Sequence, residues 1–154
     1  MRKIAVLFGC LLIVGCAGHP HAPSPAAHDL AAPTTSLGMQ AASLASTLVG
    51  APYRFGGITP EGFDCSGLVY YVFKQLGVPV PRTAQEQRGR ARPVSKDMLQ
   101  PGDLLFFYTP KDHVGIYLGG EEFVHAPTTG RLVTRARMNS PFFILGFEGA
   151  GRFP

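Results

Sequence analysis

Three side chains in this sequence, Cys65, His113 and His125, have the types needed for nucleophilic catalysis on a carbonyl. A thiolate attacks an acyl carbon far better than a thiol, and an imidazole nearby can take the thiol proton and later return it to the leaving group. The chain has cysteines at 10, 16 and 65, and the first two belong to an N-terminal stretch set apart below. Cys65 is then the one thiol of the remaining chain, without an intramolecular disulfide partner. His113 and His125 are the only histidines after residue 36.

The elements around these residues must bring them together. Cys65 opens a stretch with Leu68, Val69, Val72, Phe73 and Leu76 at helical spacing, and Gly77 ends it. A helix N-terminus carries free N–H groups and roughly half a positive charge, and both favour a thiolate. On the helix alone, a Cys three and four residues before Leu68 and Val69 serves equally well as a small core residue. Ser66 and Gly67 are small, so a substrate backbone can come close. The segment 113–118 alternates: Val114, Ile116 and Leu118 form a core face, while His113, Gly115 and Tyr117 point away from the apolar side. His125 sits on the next strand. The two histidines share a face if the connecting turn has an odd number of residues or a bulge corrects the register. A three-residue loop Gly119-Gly120-Glu121 sets Gly115 opposite His125, with His113 its diagonal neighbour.

The N-terminus is a separate unit. Arg2 and Lys3 precede the apolar run Ile4–Val14, eleven residues long and too short for an ordinary span. Residues 1–15 read as a signal peptide. Ile13-Val14-Gly15-Cys16 resembles the bacterial lipobox, which implies that Cys16 is acylated and becomes the mature N-terminus, an anchor and not a span. In a Gram-negative envelope, Ala17 rather than Asp after that Cys implies the outer membrane, facing the periplasm. Residues 16–36 hold four prolines, three histidines (His19, His21 and His28) and no period, which reads as a solvated linker. Without Arg2 and Lys3, twelve basic side chains face ten acidic ones, a balance of +2. That is too mild to point to nucleic acid.

Residues 37–154 read as one domain. A helix runs from Leu37 and stops at Gly50, the Cys65 helix follows, and a short polar helix covers Thr83–Arg88. Strands then follow over Asp103–Tyr108, His113–Leu118, Phe123–Ala126, Arg131–Arg135 and Phe143–Phe147. Helices first and strands afterwards predict an α+β fold with the helices packed on an antiparallel sheet.

Read together, Tyr53-Arg-Phe-Gly-Gly, Asp64-Cys-Ser-Gly, Pro81-Arg-Thr-Ala-Gln-Glu-Gln, Pro101-Gly-Asp-Leu-Leu-Phe-Phe, His113-Val-Gly-Ile-Tyr-Leu-Gly and Phe123-Val-His-Ala resemble the NlpC family of papain-like cell-wall cysteine peptidases. The resemblance runs from Leu37 to Pro154. It implies a peptidoglycan endopeptidase acting on peptide stems or cross-links next to meso-diaminopimelate. It implies Cys65 as nucleophile, His113 as general base, His125 as the residue that orients His113, and Tyr53 as an oxyanion donor beside the Cys65 N–H. Asp64 and Ser66 match positions that help bind the peptide stem, although Asp64 serves equally as a helix N-cap. Arg82 binds substrate or braces its loop, with bracing favoured, and Asp103 fixes a turn. Asp112 departs from the small or hydroxyl residues usual before the histidine and is expected to face solvent. The resemblance implies no cofactor and no metal, and the expected protein is a monomer.

Other readings use the same residues. The Cys-His pair can serve an amidase or acyltransferase on another amide or ester. Cys65, His113 and His125 are also possible zinc ligands, but 48 residues separate the first two, unlike the close ligand pairs of zinc sites. A wall-binding lipoprotein without catalysis is a further alternative.

Overall fold

The structure is a computed structural model, and it describes residues 36–108 and 111–154. The signal stretch, Cys16 and the linker up to residue 35 lie outside the described residues. Ser36, read as the last linker residue, caps the first helix: its side chain accepts the Met39 N–H at 3.3 Å. That helix, α1, is Leu37–Thr47 and buries Ala41, Ala42 and Ala45, whose small size lets the backbone pack close. Two-residue strands β1 (Ile58–Thr59) and β2 (Gly62–Phe63) form a small hairpin. α2 is Cys65–Gln75, and Gly77 closes its end in the left-handed region at φ +75°. α3 is Ala84–Arg90, opened by a capping box between Thr83 and Glu86.

The remaining strands are β3 (Arg92–Val94), β4 (Leu104–Tyr108), β5 (Asp112–Gly119), β6 (Glu122–His125), β7 (Thr134–Arg137) and β8 (Phe147–Arg152), with helix α4 (Pro141–Gly146) before the last. They form one six-stranded sheet in the order β3-β8-β4-β5-β6-β7, every pair antiparallel. α1 and α2 lie on one face, against β5. The α+β architecture with helices on an antiparallel sheet is therefore as expected. Among the described residues no helix is long and apolar enough to cross a membrane.

The sheet is covered on both faces, which explains the unbroken apolar run Leu104–Phe107. Leu104 and Phe106 face the helices with Val114, Ile116 and Val124. Leu105 and Phe107 face the other way, into a smaller cluster with Tyr117, Phe123, Met138, Phe143 and Ala150. Val114 and Ile116 thus form a core face as the alternation predicts, with Leu118 half-buried against it. The opposite face, read as the less greasy one, is lined by aromatic rings.

Three element assignments differ from the expectation. Residues 143–146 do not make a strand: Ser140-Pro141 starts α4, with Pro at a first-turn position where its missing N–H costs nothing. The last strand is instead the glycine-rich Phe147–Arg152. Its Gly151 leaves no room for a side chain, since a Cβ there would lie 2.6 Å from Ala91 Cβ. β3 contains Pro93 and sits at the sheet edge, the one place a strand tolerates proline. The strand placed over 131–135 begins at Thr134, because residues 131–133 pair with the Gly50–Tyr53 loop instead.

Candidate active site

β5 and β6 deliver the two histidines. Ile116 pairs with Val124 and Tyr117 with Phe123, so the register carries on to Gly115 opposite His125. The device is not a three-residue loop. A two-residue turn, Gly120-Glu121, has both residues at positive φ, and a bulge between Tyr117 and Gly119 restores the register. Gly115 has to be glycine, since a Cβ there would lie 2.5 Å from the Phe123 ring. His113 Nε2 then lies 2.8 Å from His125 Nδ1.

Both imidazoles are buried. Phe107, Phe123 and Phe143 surround them at ring-centroid distances of 5.1 to 6.5 Å. Burial of this kind disfavours the charged ring. It pushes His113 down to about 4, with Lys111 adding to the effect, and His125 down to about 3, with His113 adding. Both are neutral at physiological pH. The His113–His125 contact uses Nε2 of His113, so Nδ1 is the nitrogen left for a proton from another group.

Cys65 is the first residue of α2, and the chain reaches it through Asp64, the N-cap. The backbone N–H of Val114, the residue after His113, is one of the groups that act on the Cys65 thiol. Burial pushes the Cys65 thiol up and the Asp64 carboxylate adds to this, while the N–H groups of Val114, Ser66 and Cys65 itself pull the other way. Burial and the N–H groups at the helix start thus act on this thiol in opposite directions.

Tyr53 is held from two sides. Its N–H donates to Arg131 O at 2.9 Å, and neighbouring backbone bonds join Pro52 and Arg54 to Phe63 at 3.0 and 2.9 Å. Burial and the proximity of Cys65 and Asp64 push its phenol up, so it remains an O–H donor. The loop after it is locked on α2. Gly57 O accepts the Asp64 N–H at 3.3 Å, and a Cβ on Gly67 would lie 1.9 Å from that same oxygen. The smallness of Gly67 therefore admits the chain's own loop, not a substrate backbone.

Asp64, Ser66 and Arg82 form one network. The Asp64 carboxylate accepts from the N–H of Gly67 at 2.7 Å and of Gly56 at 2.9 Å. It also accepts Arg82 Nη1 at 3.0 Å and Nη2 at 2.6 Å. Ser66 Oγ donates to Asp64 Oδ1 at 3.3 Å and accepts Arg82 Nη1 at 2.9 Å. Despite burial, which acts upward, these partners hold Asp64 below the usual carboxylate range. Asp64 and Ser66 are buried, whereas Arg82 keeps 34 % of its side chain exposed. Asp103 fixes its turn as expected: it accepts the Gln100 N–H at 2.8 Å and pairs with Arg152 at 2.6 and 2.8 Å. Asp112 is exposed. It lines a cavity of about 120 Å³ beside His113, together with Ala84, Arg88 and Glu148.

Gln87 closes the Pro81-Arg-Thr-Ala-Gln-Glu-Gln run, which by itself assigns it no role. It is fully buried, and its amide bonds Ser66 O at 3.0 Å and Pro81 O at 2.8 Å. The signal was a polar residue at the inward position of α3, three residues after buried Ala84. Among the described residues no group of three or more His, Cys, Asp and Glu is arranged to hold a metal ion.

Comparison with known proteins agrees with this geometry. The profile of the NlpC/P60 family matches residues 50–151. The protein named "Probable endopeptidase NlpC" of Escherichia coli K12 is 34% identical over 157 aligned positions, covering 99% of each chain. The "Murein DD-endopeptidase MepH" of the same organism is 41% identical over 112 positions, covering 68% of this chain and 41% of its own. Several curated relatives are longer, and this chain spans about half or less of their length. The crystal structure of the NlpC/p60 domain of the peptidoglycan hydrolase SagA superposes with a TM-score of 0.66 at 32% identity, covering 75% of this chain and 98% of that one. An NlpC/P60 family protein from Bacillus cereus superposes with a TM-score of 0.71 at 32% identity, covering 78% and 41%.

Proposed function

The chain belongs to the NlpC/P60 family, and from that premise we propose that it is a cysteine-type endopeptidase of peptidoglycan. It hydrolyses a peptide bond of the stems or cross-links, next to meso-diaminopimelate. The observation that carries this reading is the contact between His113 Nε2 and His125 Nδ1, on the strand whose Val114 N–H acts on the Cys65 thiol.

The chemistry follows from the hydrogens. For His113 to act as base, its Nδ1 must be unprotonated, so Nε2 carries the hydrogen and donates to His125 Nδ1. The Cys65 thiol gives its proton to His113 Nδ1 as sulfur attacks the carbonyl carbon. The oxyanion that forms meets the Cys65 N–H and the Tyr53 hydroxyl. His113 returns the proton to the leaving amine, and the acyl-enzyme remains. Water, deprotonated by the same imidazole, hydrolyses the thioester and frees Cys65. Arg82, anchored by Asp64 and Ser66 and part-exposed, borders the path of the substrate stem in this reading.

The N-terminal reading is part of the proposal. Cys16 carries lipid, and the enzyme works as a monomer tethered in the cell envelope, at the outer membrane facing the periplasm in a Gram-negative cell. Metabolic labelling with a tagged palmitate tests it: label on the wild type and none on Cys16→Ala is expected, and label on neither contradicts it. The catalytic reading is tested by digesting purified muropeptides and weighing the products. New termini at a stem or cross-link bond support it. Release of acyl groups from lipid esters with muropeptides left intact favours the acyltransferase alternative.

A further inference from the structure

We propose that Gln87 is a positioning residue that sets Arg82 against the first turn of the nucleophile's helix; this rests on the peptidase reading above. Gln87 sits on α3 with no exposed surface. Its Nε2 donates to Ser66 O, one residue past Cys65, and to Pro81 O, one residue before Arg82. Arg82 itself reaches back to Asp64 and Ser66. The amide therefore closes a triangle: α2 to Gln87, Gln87 to the Pro81 loop, and the loop to α2 through Arg82.

The other end of the same amide argues against a role in stability alone. Gln87 Oε1 is buried and has no hydrogen-bond partner among the described residues. A buried acceptor without a partner costs free energy, and a leucine of similar volume carries no such cost. What leucine cannot supply are the two donated bonds, both to backbone flanking the site.

The test compares Gln87→Leu, Arg82→Ala and the double variant in the full chain, with Gln87→Met as a second substitution should leucine disturb folding. Three readings are taken: kcat and KM on a stem peptide, the thermal midpoint, and hydrogen exchange of the Arg82 guanidinium by NMR. The expected result is a folded Gln87→Leu protein with a thermal midpoint at or above wild type. Its kcat/KM falls about tenfold through KM, and Arg82 exchange is at least about tenfold faster. In the Arg82→Ala background the leucine adds little, because both changes remove one function. Unchanged KM and unchanged Arg82 exchange in a folded variant overturn the proposal, as does full additivity with Arg82→Ala. A wild type inactive on every stem peptide sinks the peptidase reading instead, and Arg82 exchange still decides the positioning role.

Discussion

The rings of His113 and His125 stand nearly perpendicular, at 88°, with Nε2 of one 2.8 Å from Nδ1 of the other. Under the proposed mechanism His125 serves as a hydrogen-bond acceptor, not as a titrating group. A neutral acceptor of similar reach should therefore replace it. His125→Asn is expected to keep activity within about tenfold of wild type, while His125→Leu loses about a hundredfold, the low end of what a misoriented general base costs. Steady-state kinetics on one muropeptide compares them. Equal losses in the two variants would show that acceptance by this residue is immaterial.

The same burial makes a pH prediction with a definite sign. Both histidines have folded-state values below the ordinary 6.5, at about 4 and about 3. Above 6.5 folded and unfolded chains are both neutral at these sites, and no linkage arises. As pH falls below 6.5 the unfolded chain takes up protons that the folded chain refuses, so stability declines until the folded imidazoles titrate. For His113 alone this amounts to on the order of 3 kcal/mol. Urea unfolding at pH 7, 5.5 and 4.5 should show the decline, and His125→Asn should lessen it. The acid limb of kcat/KM should lie near 4 on a substrate without titrating carboxylates. A limb at 6.5 would show that His113 is not held neutral by its surroundings.

Tyr53 is expected to act through its hydroxyl. Removing one oxyanion donor costs about 10²–10³ in kcat, so Tyr53→Phe should lower kcat by about that factor and leave KM nearly unchanged. A loss confined to KM would reassign the hydroxyl to substrate binding.

Gly67→Ala tests how the site is assembled. The added methyl would lie 1.9 Å from Gly57 O, and backbone cannot yield as a flexible side chain can. Overpacking of this kind costs about 1–3 kcal/mol. The Gly57 loop leads back to Tyr53, so the variant should lose kcat as well as stability. Denaturant unfolding and kinetics on the same preparation check both. A variant as stable and active as wild type would mean that the loop is not locked on α2.

What the sequence disclosed depended on period and type. The alternation of Val114 and Ile116 and the spacing of Leu68, Val69 and Val72 survive in the structure, because each follows from local geometry. The register linking His113 to His125 was foreseen, but not its means, since a bulge leaves no trace in composition. The aromatic cover over the histidines has no local signal, because residues 143–147 read as strand; only tertiary contact brings Phe143 against His125. Gln87 and the Gly57–Gly67 contact were hidden for a like reason. Their partners lie twenty-one and ten residues away, beyond any local pattern.

The central claim is that Cys65 attacks a peptide bond of peptidoglycan with His113 as its base. Mass spectrometry of purified muropeptides incubated with wild type and with Cys65→Ala tests it most directly. Wild type should yield fragments ending at a bond next to diaminopimelate, and the variant, folded with an unchanged circular dichroism spectrum, should yield none above background. Equal digestion by Cys65→Ala, or intact muropeptides with an active, folded wild type, would contradict the account.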